Sequence, residues 1–145
     1  MKVIMCLDYN NGMMFNNRRT SRDREVIKDI VDNYKNEKIW ISVYSKELFE
    51  DYLKDNGLES LEDNNIIVDD DYISKINDND YCFIEEMSII DYNIKLEQIV
   101  VYRWDRIYPA DTFCQIDFDD YVLKGKEEIK GYSHEKISKE IYILK

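Results

Sequence analysis

Val3-Ile4-Met5-Cys6-Leu7-Asp8 decides the fold: five apolar residues in a row, closed by a carboxylate. A run apolar on both faces is the mark of a central strand in a covered sheet. The stretch that follows, Asn10-Asn11-Gly12-Met13-Met14-Phe15-Asn16, reads as a loop, and it delivers Arg18, Arg19, Arg22 and Arg24 to the start of a helix. Open α/β sheets take their ligands in the crevice outside the carboxyl ends of such strands. The segment therefore marks a candidate site before any motif is matched.

Outward from this strand, strands and helical connections alternate. The first helix is expected to begin near Thr20 or Ser21, with Thr20 and Asp23 in the form of a capping box. Val26, Ile27, Ile30, Val31 and Tyr34 then recur at helical spacing. Lys38–Tyr44 reads as a second strand, with Ser45 capping a second helix whose inner face is Leu48, Phe49, Tyr52 and Leu53 and whose stop is Gly57. Ile66-Ile67-Val68 is a third strand, followed by a helical turn carrying Tyr72, Ile73 and Ile76. Tyr81-Cys82-Phe83-Ile84 is a fourth, ending in Glu85-Glu86. This alternation predicts right-handed crossovers and a parallel sheet. From Leu96 the pattern changes. Ile99–Trp104, Thr112–Leu123 and Ile137–Leu144 read as strands without intervening helices, punctuated by Pro109-Ala110-Asp111, Gly125 and Gly131. The expected fold class is α/β: one domain over 1–145, a mixed sheet with a parallel core and an antiparallel C-terminal extension.

The chain has 145 residues, 44% of them hydrophobic, enough for a core without disulfide or metal staples. A formal net charge of −11 opposes non-specific binding to nucleic acid or to an anionic membrane. Cys6, Cys82 and Cys114 are odd in number, far apart and set in apolar stretches, so they read as buried free thiols in a reducing cytosol. Met1-Lys2 leads directly into the first strand, and no apolar run approaches the roughly 20 residues that span a bilayer. The expectation is a cytoplasmic protein with no leader and no membrane partner.

Parallel early strands would gather Asp8, Asn10, Asn11, Tyr44, Ser45, Glu85 and Glu86 on one edge, with the arginines coming in from the loop. Asp8, Asn11, Arg18, Arg19, Arg22 and Glu85 are the candidate binding residues, suited to a small polar or anionic ligand. The alternative is a rim of mutually neutralising salt bridges. Asp23 and Glu85 are the candidate catalytic carboxylates. Asp23 is either a buried acid able to protonate or anchor a heterocycle, or a helix cap. Adjacent strand residues point to opposite faces, so at most one of Glu85 and Glu86 is expected in a given pocket.

His134, the one histidine, sits in Ser133-His134-Glu135-Lys136. A Ser/His triad would require it to find both a serine and an acid, and no nucleophile elbow is present, so it reads as a structural or exposed histidine. No metal site is expected: there is no histidine-rich cluster. Asp69-Asp70-Asp71 and Asp117/Asp119/Asp120 lack the spacing and glycine of a calcium loop and read as solvated turns. Four glycines form neither GxGxxG nor a P-loop, and no cofactor is expected.

Val3–Asn16, read as strand, Asp8 and then Asn11-Gly12-Met13-Met14-Phe15-Asn16, resembles the opening of dihydrofolate reductases. The tail does too. Ile99-Val100-Val101-Tyr102 is similar to that family's strand after its cofactor-binding helix. Asp111-Thr112-Phe113, with Asp117 and Tyr121-Val122-Leu123, is similar to its "DTF…D…W-x-L" segment, and Glu140-Ile141-Tyr142-Ile143 to its closing strand. The resemblance implies the reductase fold, and its departures fall on functional positions. Arg18-Arg19-Thr20 stands for Leu-Pro-Trp, and the pterin-anchoring carboxylate would correspond to Asp23. Ser42-Val43-Tyr44-Ser45 replaces Gly-Arg-x-Thr, and Glu85-Glu86 replaces the paired glycines. Two carboxylates there would repel a pyrophosphate.

A narrower resemblance joins the "NNGMMFN-x-RR-x-S-x-D" opening and the "SHEK" before the last strand to small uncharacterised bacterial proteins, some labelled ribonuclease Z. That label implies a metallo-hydrolase with a histidine-rich cluster, which a single histidine does not supply.

The resulting expectation is a dihydrofolate-reductase-like fold without the usual NADPH site or the standard reductase activity. Its sheet-edge crevice would bind a small polar or anionic ligand, or a protein partner. The alternatives are an active reductase with altered cofactor use and an RNA-binding or RNA-processing protein using Arg18–Arg24.

Overall fold

A computed structural model describes residues 1–86 and 96–145. The strands are β1 (Lys2–Leu7), β2 (Gly12–Phe15), β3 (Arg18–Arg19), β4 (Ile39–Ile41), β5 (Ile66–Val68), β6 (Tyr81–Phe83), β7 (Gln98–Trp104), β8 (Thr112–Phe113), β9 (Tyr121–Ile129) and β10 (Ile137–Leu144); the helices are α1 (Arg24–Tyr34) and α2 (Val43–Asp55). Seven strands form one sheet in the order β5-β4-β6-β1-β7-β10-β9, and β3-β2-β8 form a small second sheet. From β5 to β7 every pairing is parallel, while β10 is antiparallel to both β7 and β9.

β1 lies at the centre, between β6 and β7. Its side chains alternate between two cores, as the pleat requires. Ile4 packs on the face covered by α1 and α2, with Phe83, Val100, Tyr102 and Trp104. Val3, Met5 and Leu7 pack on the other face with Met13, Met14, Trp40 and Tyr72. Burying each such aliphatic side chain contributes roughly 1.5–3 kcal/mol, so the apolar run that marked β1 also anchors both layers.

Four boundaries differ from the sequence expectation, each for a local reason. α1 starts at Arg24 rather than near Thr20, because Asp23 is itself the cap and accepts the Glu25 amide at 2.9 Å. The preceding stretch is not a simple loop. Asn16 and Asn17 both have positive φ, +50° and +61°, and link β2 to β3 as a two-residue hairpin. Likewise Ser42, not Ser45, caps α2, its hydroxyl accepting the Ser45 amide at 3.2 Å, so Val43 and Tyr44 join the helix and β4 ends at Ile41.

The stretch Thr112–Leu123 is two strands, not one. β8 pairs with β2, and β9 starts only after a turn at Phe118–Asp120 capped by Asp117. Gly125 is not a turn residue: it pairs with Ile141 inside β9, beside a bulge. The expected stop of α2 holds, with Gly57 in the left-handed region at φ +63°.

Candidate functional site

The carboxyl ends of β4, β5 and β6 open onto a cavity of about 520 Å³. Its walls include Tyr44 from the first turn of α2, Asp70, Asp71 and Tyr72 from the connection after β5, and Glu85 and Glu86 after β6. Both glutamates line it. This corrects the strand-alternation argument: β6 ends at Phe83, so the pleat no longer governs residues 85 and 86.

One guanidinium is already seated at the edge of this cavity. Arg19 reaches from β3 to Glu85 with two hydrogen bonds, from Nε to Oε1 at 2.7 Å and from Nη2 to Oε2 at 3.0 Å. Its guanidinium lies 4.6 Å from the centre of the Tyr44 ring, and its backbone amide donates to the Tyr44 hydroxyl at 3.0 Å. Ser45, buried within α2, donates to Glu85 Oε2 at 2.7 Å. Burial alone would weaken the Arg19 charge; the Glu85 hydrogen bond and charge outweigh it and raise the arginine pKa. Beneath the pair, burial and then the Glu85 charge push the Cys6 thiol far up. Glu85 is thus held as half of an ion pair.

The α2 N-terminus is also occupied. Helix starts attract anions through their unpaired amides, but here the Val43 amide donates to Asp70 Oδ1 at 2.9 Å and the Ser45 amide to Ser42.

Of the other candidate residues, Asp8 and Asn11 do not join the crevice. Asp8 is fully buried, with Oδ1 accepting the amides of Asn10 and Gly12 at 2.8 Å each and Oδ2 accepting the Tyr108 amide at 2.9 Å. A Cβ on Gly12 would lie 2.9 Å from Asp8 Oδ2 and 2.9 Å from Ala110 Cβ, so the turn admits only glycine. Asn11 accepts from Arg103, which also pairs with Glu140 at 3.0 Å. The arginine cluster does not form one anion cradle either. Arg18 is exposed on β3, Arg22 faces Asp51 at 3.9 Å, and Arg24 stacks over Tyr132.

Asp23 is the candidate whose surroundings differ most from expectation. Oδ1 accepts the amides of Glu25 and Tyr132, and Oδ2 accepts those of Ser133 and His134. Oδ2 also lies 2.9 Å from His134 Nδ1. Burial would raise its pKa, but the Tyr132 amide, the His134 ring and the Glu25 and Ser133 amides outweigh it and bring the carboxyl down to about 2. The carboxylate is turned into the 131–134 turn, so it is committed to more than capping.

His134, expected to be structural or exposed, is buried against the Trp104 ring at 4.5 Å with Ser21 Oγ 2.8 Å from its Nε2. No local signal announces its contacts with Ser21 and Asp23, which lie 113 and 111 positions earlier. Among the described residues, no group of three or more His, Cys, Asp and Glu side chains is arranged to hold a metal ion. Among them, too, no helix is long and apolar enough to cross a membrane.

Strand order, α1 and α2 on one face and the antiparallel closing strands together define a dihydrofolate-reductase-like α/β fold. Among solved structures, the chain is similar to dihydrofolate reductase from Enterococcus faecalis complexed with NADP(H) and RAB-propyl, at TM-score 0.63 and 10% identity, over 99% of this chain and 96% of that one. No protein-family model matches the chain, and no curated protein matches it.

Proposed function

We propose that the chain is a ligand-binding protein built on the reductase-like sheet, and that its sheet-edge cavity takes a small organic cation, an amine or guanidinium. The observation that carries this reading is the wall of the 520 Å³ cavity: Asp70, Asp71, Glu85 and Glu86 beside the rings of Tyr44 and Tyr72. Carboxylates with aromatic faces suit an organic cation, which gains both Coulomb and cation–π energy. Arg19 supplies an internal example, a guanidinium held by Glu85 and lying over Tyr44. The net charge of −11 raises the local concentration of cations further. This departs from the sequence expectation of a small polar or anionic ligand or a protein partner, because Arg19 is paired with Glu85 and Arg22 and Arg24 face Asp51 and Tyr132.

The same residues do not fit a dinucleotide. The reductase from Enterococcus faecalis is complexed with NADP(H). In this chain the α2 amide that would face a phosphate is taken by Asp70, and the cavity walls carry the phosphate's own sign. The reading is therefore of a binding protein without the standard nicotinamide site.

Calorimetric titration tests it. Agmatine, which carries both an amine and a guanidinium, is expected to bind, and the affinity to fall steeply with added salt. NADPH is expected to give no heat of binding at millimolar concentration. Saturable NADPH binding, or no binding of agmatine, spermidine or arginine amide, would overturn the proposal.

A further inference from the structure

Ser21, His134 and Asp23 stand in the order and at the distances of a nucleophile, a base and an orienting acid. The Asp23 carboxylate only accepts hydrogen bonds, so the imidazole proton lies on Nδ1, 2.9 Å from Oδ2. Nε2 is then left as an acceptor, with Ser21 Oγ at 2.8 Å and the Tyr108 hydroxyl at 3.0 Å. The base is held on every side. Trp104 stacks on the ring, and the backbone amide of His134 itself donates to Asp23 Oδ2 at 3.1 Å. Such fixed geometry is what general-base activation of a serine needs.

We infer that Ser21 is a nucleophile activated by His134 and Asp23, and that it cleaves small carboxylic esters. A hydrogen-bonded serine, histidine and aspartate could also be only a pin between α1 and the 131–134 turn. The cavity favours the chemical role. Ser21, Asp23 and Trp104 line a narrow pocket of about 20 Å³, open to solvent, with Arg22 on the same wall. That volume holds about one water-sized group, which limits the acyl part of a substrate to acetyl size and leaves the alcohol part at the mouth. Arg22, half exposed, also lines this pocket, its guanidinium 3.9 Å from Asp51. Phe83 and Glu85 wall both this pocket and the larger acidic cavity, so the two adjoin.

The step balances within these groups. Ser21 Oγ attacks the carbonyl carbon while its proton passes to His134 Nε2. The tetrahedral centre collapses with cleavage of the bond to the alkoxy oxygen, which takes that proton from His134 and leaves as the alcohol. Water then adds to the acyl-serine by the same relay, giving up a proton to Nε2. Collapse releases the carboxylic acid and returns the proton to Ser21.

A fluorophosphonate probe with peptide mapping tests the nucleophile, and p-nitrophenyl acetate against the butyrate ester tests the pocket. The wild-type protein is expected to be labelled at Ser21 and to prefer acetate at least tenfold. Ser21→Ala is expected to keep its melting temperature and lose labelling a hundredfold or more, and His134→Gln to lose it similarly. Should His134→Gln fail to fold, Ser21→Cys provides a second reading. Its thiol, beside the imidazole, is expected to react with iodoacetamide at pH 6 at least tenfold faster than Cys6, Cys82 or Cys114, whose thiols burial pushes up. A natively folded wild type without a Ser21 adduct, or a Ser21→Cys thiol no faster than the native three, would reduce the arrangement to a pin and overturn the inference. Neither outcome bears on agmatine binding, which is measured separately.

Discussion

Two cavities share the wall formed by Phe83 and Glu85, and they use charge in opposite ways. In the larger one, carboxylates from the ends of β5 and β6 converge on open space, and Arg19 satisfies only Glu85 among them. In the smaller one, the Asp23 carboxylate is saturated by amides, a hydroxyl and the His134 ring from a single turn. The contrast separates binding from stability. Charges that face solvent-filled space cost the fold little and attract a ligand, whereas a buried carboxylate stabilises only while its donors stay in register.

Breaking the inner cluster is expected to cost most. A Cβ on Gly131 would lie 2.4 Å from the His134 carbonyl oxygen and 2.7 Å from Asp23 Oδ2. Gly131→Ala therefore forces the turn away from Asp23 and is expected to destabilise by about 4 kcal/mol in denaturant unfolding. At the shared wall, Arg19→Met strands the Glu85 carboxylate, whose side chain is 9% exposed. The expected loss is about 3 kcal/mol, and Arg19→Met combined with Glu85→Gln is expected to recover much of it.

Acid titrates the same contrast. Asp23 has a folded pKa of about 2 against an ordinary value of 3.8. Its stabilising contribution is complete above pH 4 and disappears as the pH falls toward 2. A loss of about 2 kcal/mol is expected in that window, and Asp23→Asn is expected to flatten it. The outer carboxylates are expected to matter least for the fold. Asp71→Asn with Glu86→Gln should shift stability by less than about 0.5 kcal/mol while weakening agmatine binding about tenfold. Equal effects on stability and binding would erase the distinction between the two cavities.

The sequence made the periodic elements legible. Val3–Leu7 announced β1, and the apolar faces of α1 and α2 fell at the expected residues because burial on one side imposes a period that composition reveals. Glu85 and the Arg19 neighbourhood were also readable, since parallel topology alone brings the strand ends together. The β2–β3 hairpin was readable in principle, because Asn16-Asn17 is a pair suited to two consecutive positive φ values. Asp8 pins its own turn in the structure, a role the sequence does not reveal because a carboxylate after a central strand looks the same whether it faces a ligand or a turn. The partnership of Ser21 and Asp23 with His134 had no local signature at all. It joins residues 113 and 111 positions apart and exists only once β10 has closed against β7.

The most direct test of the cation-binding account is an amide spectrum, 15N against 1H, recorded while agmatine is added and again while NADPH is added. Agmatine is expected to move the resonances of Tyr44, Asp71, Tyr72 and Glu86 in a saturable way and to leave those of Tyr132 and Ser133 in place, with NADPH moving none of them. Saturable shifts at Tyr44 and Glu86 with NADPH, or none there with agmatine, would contradict it.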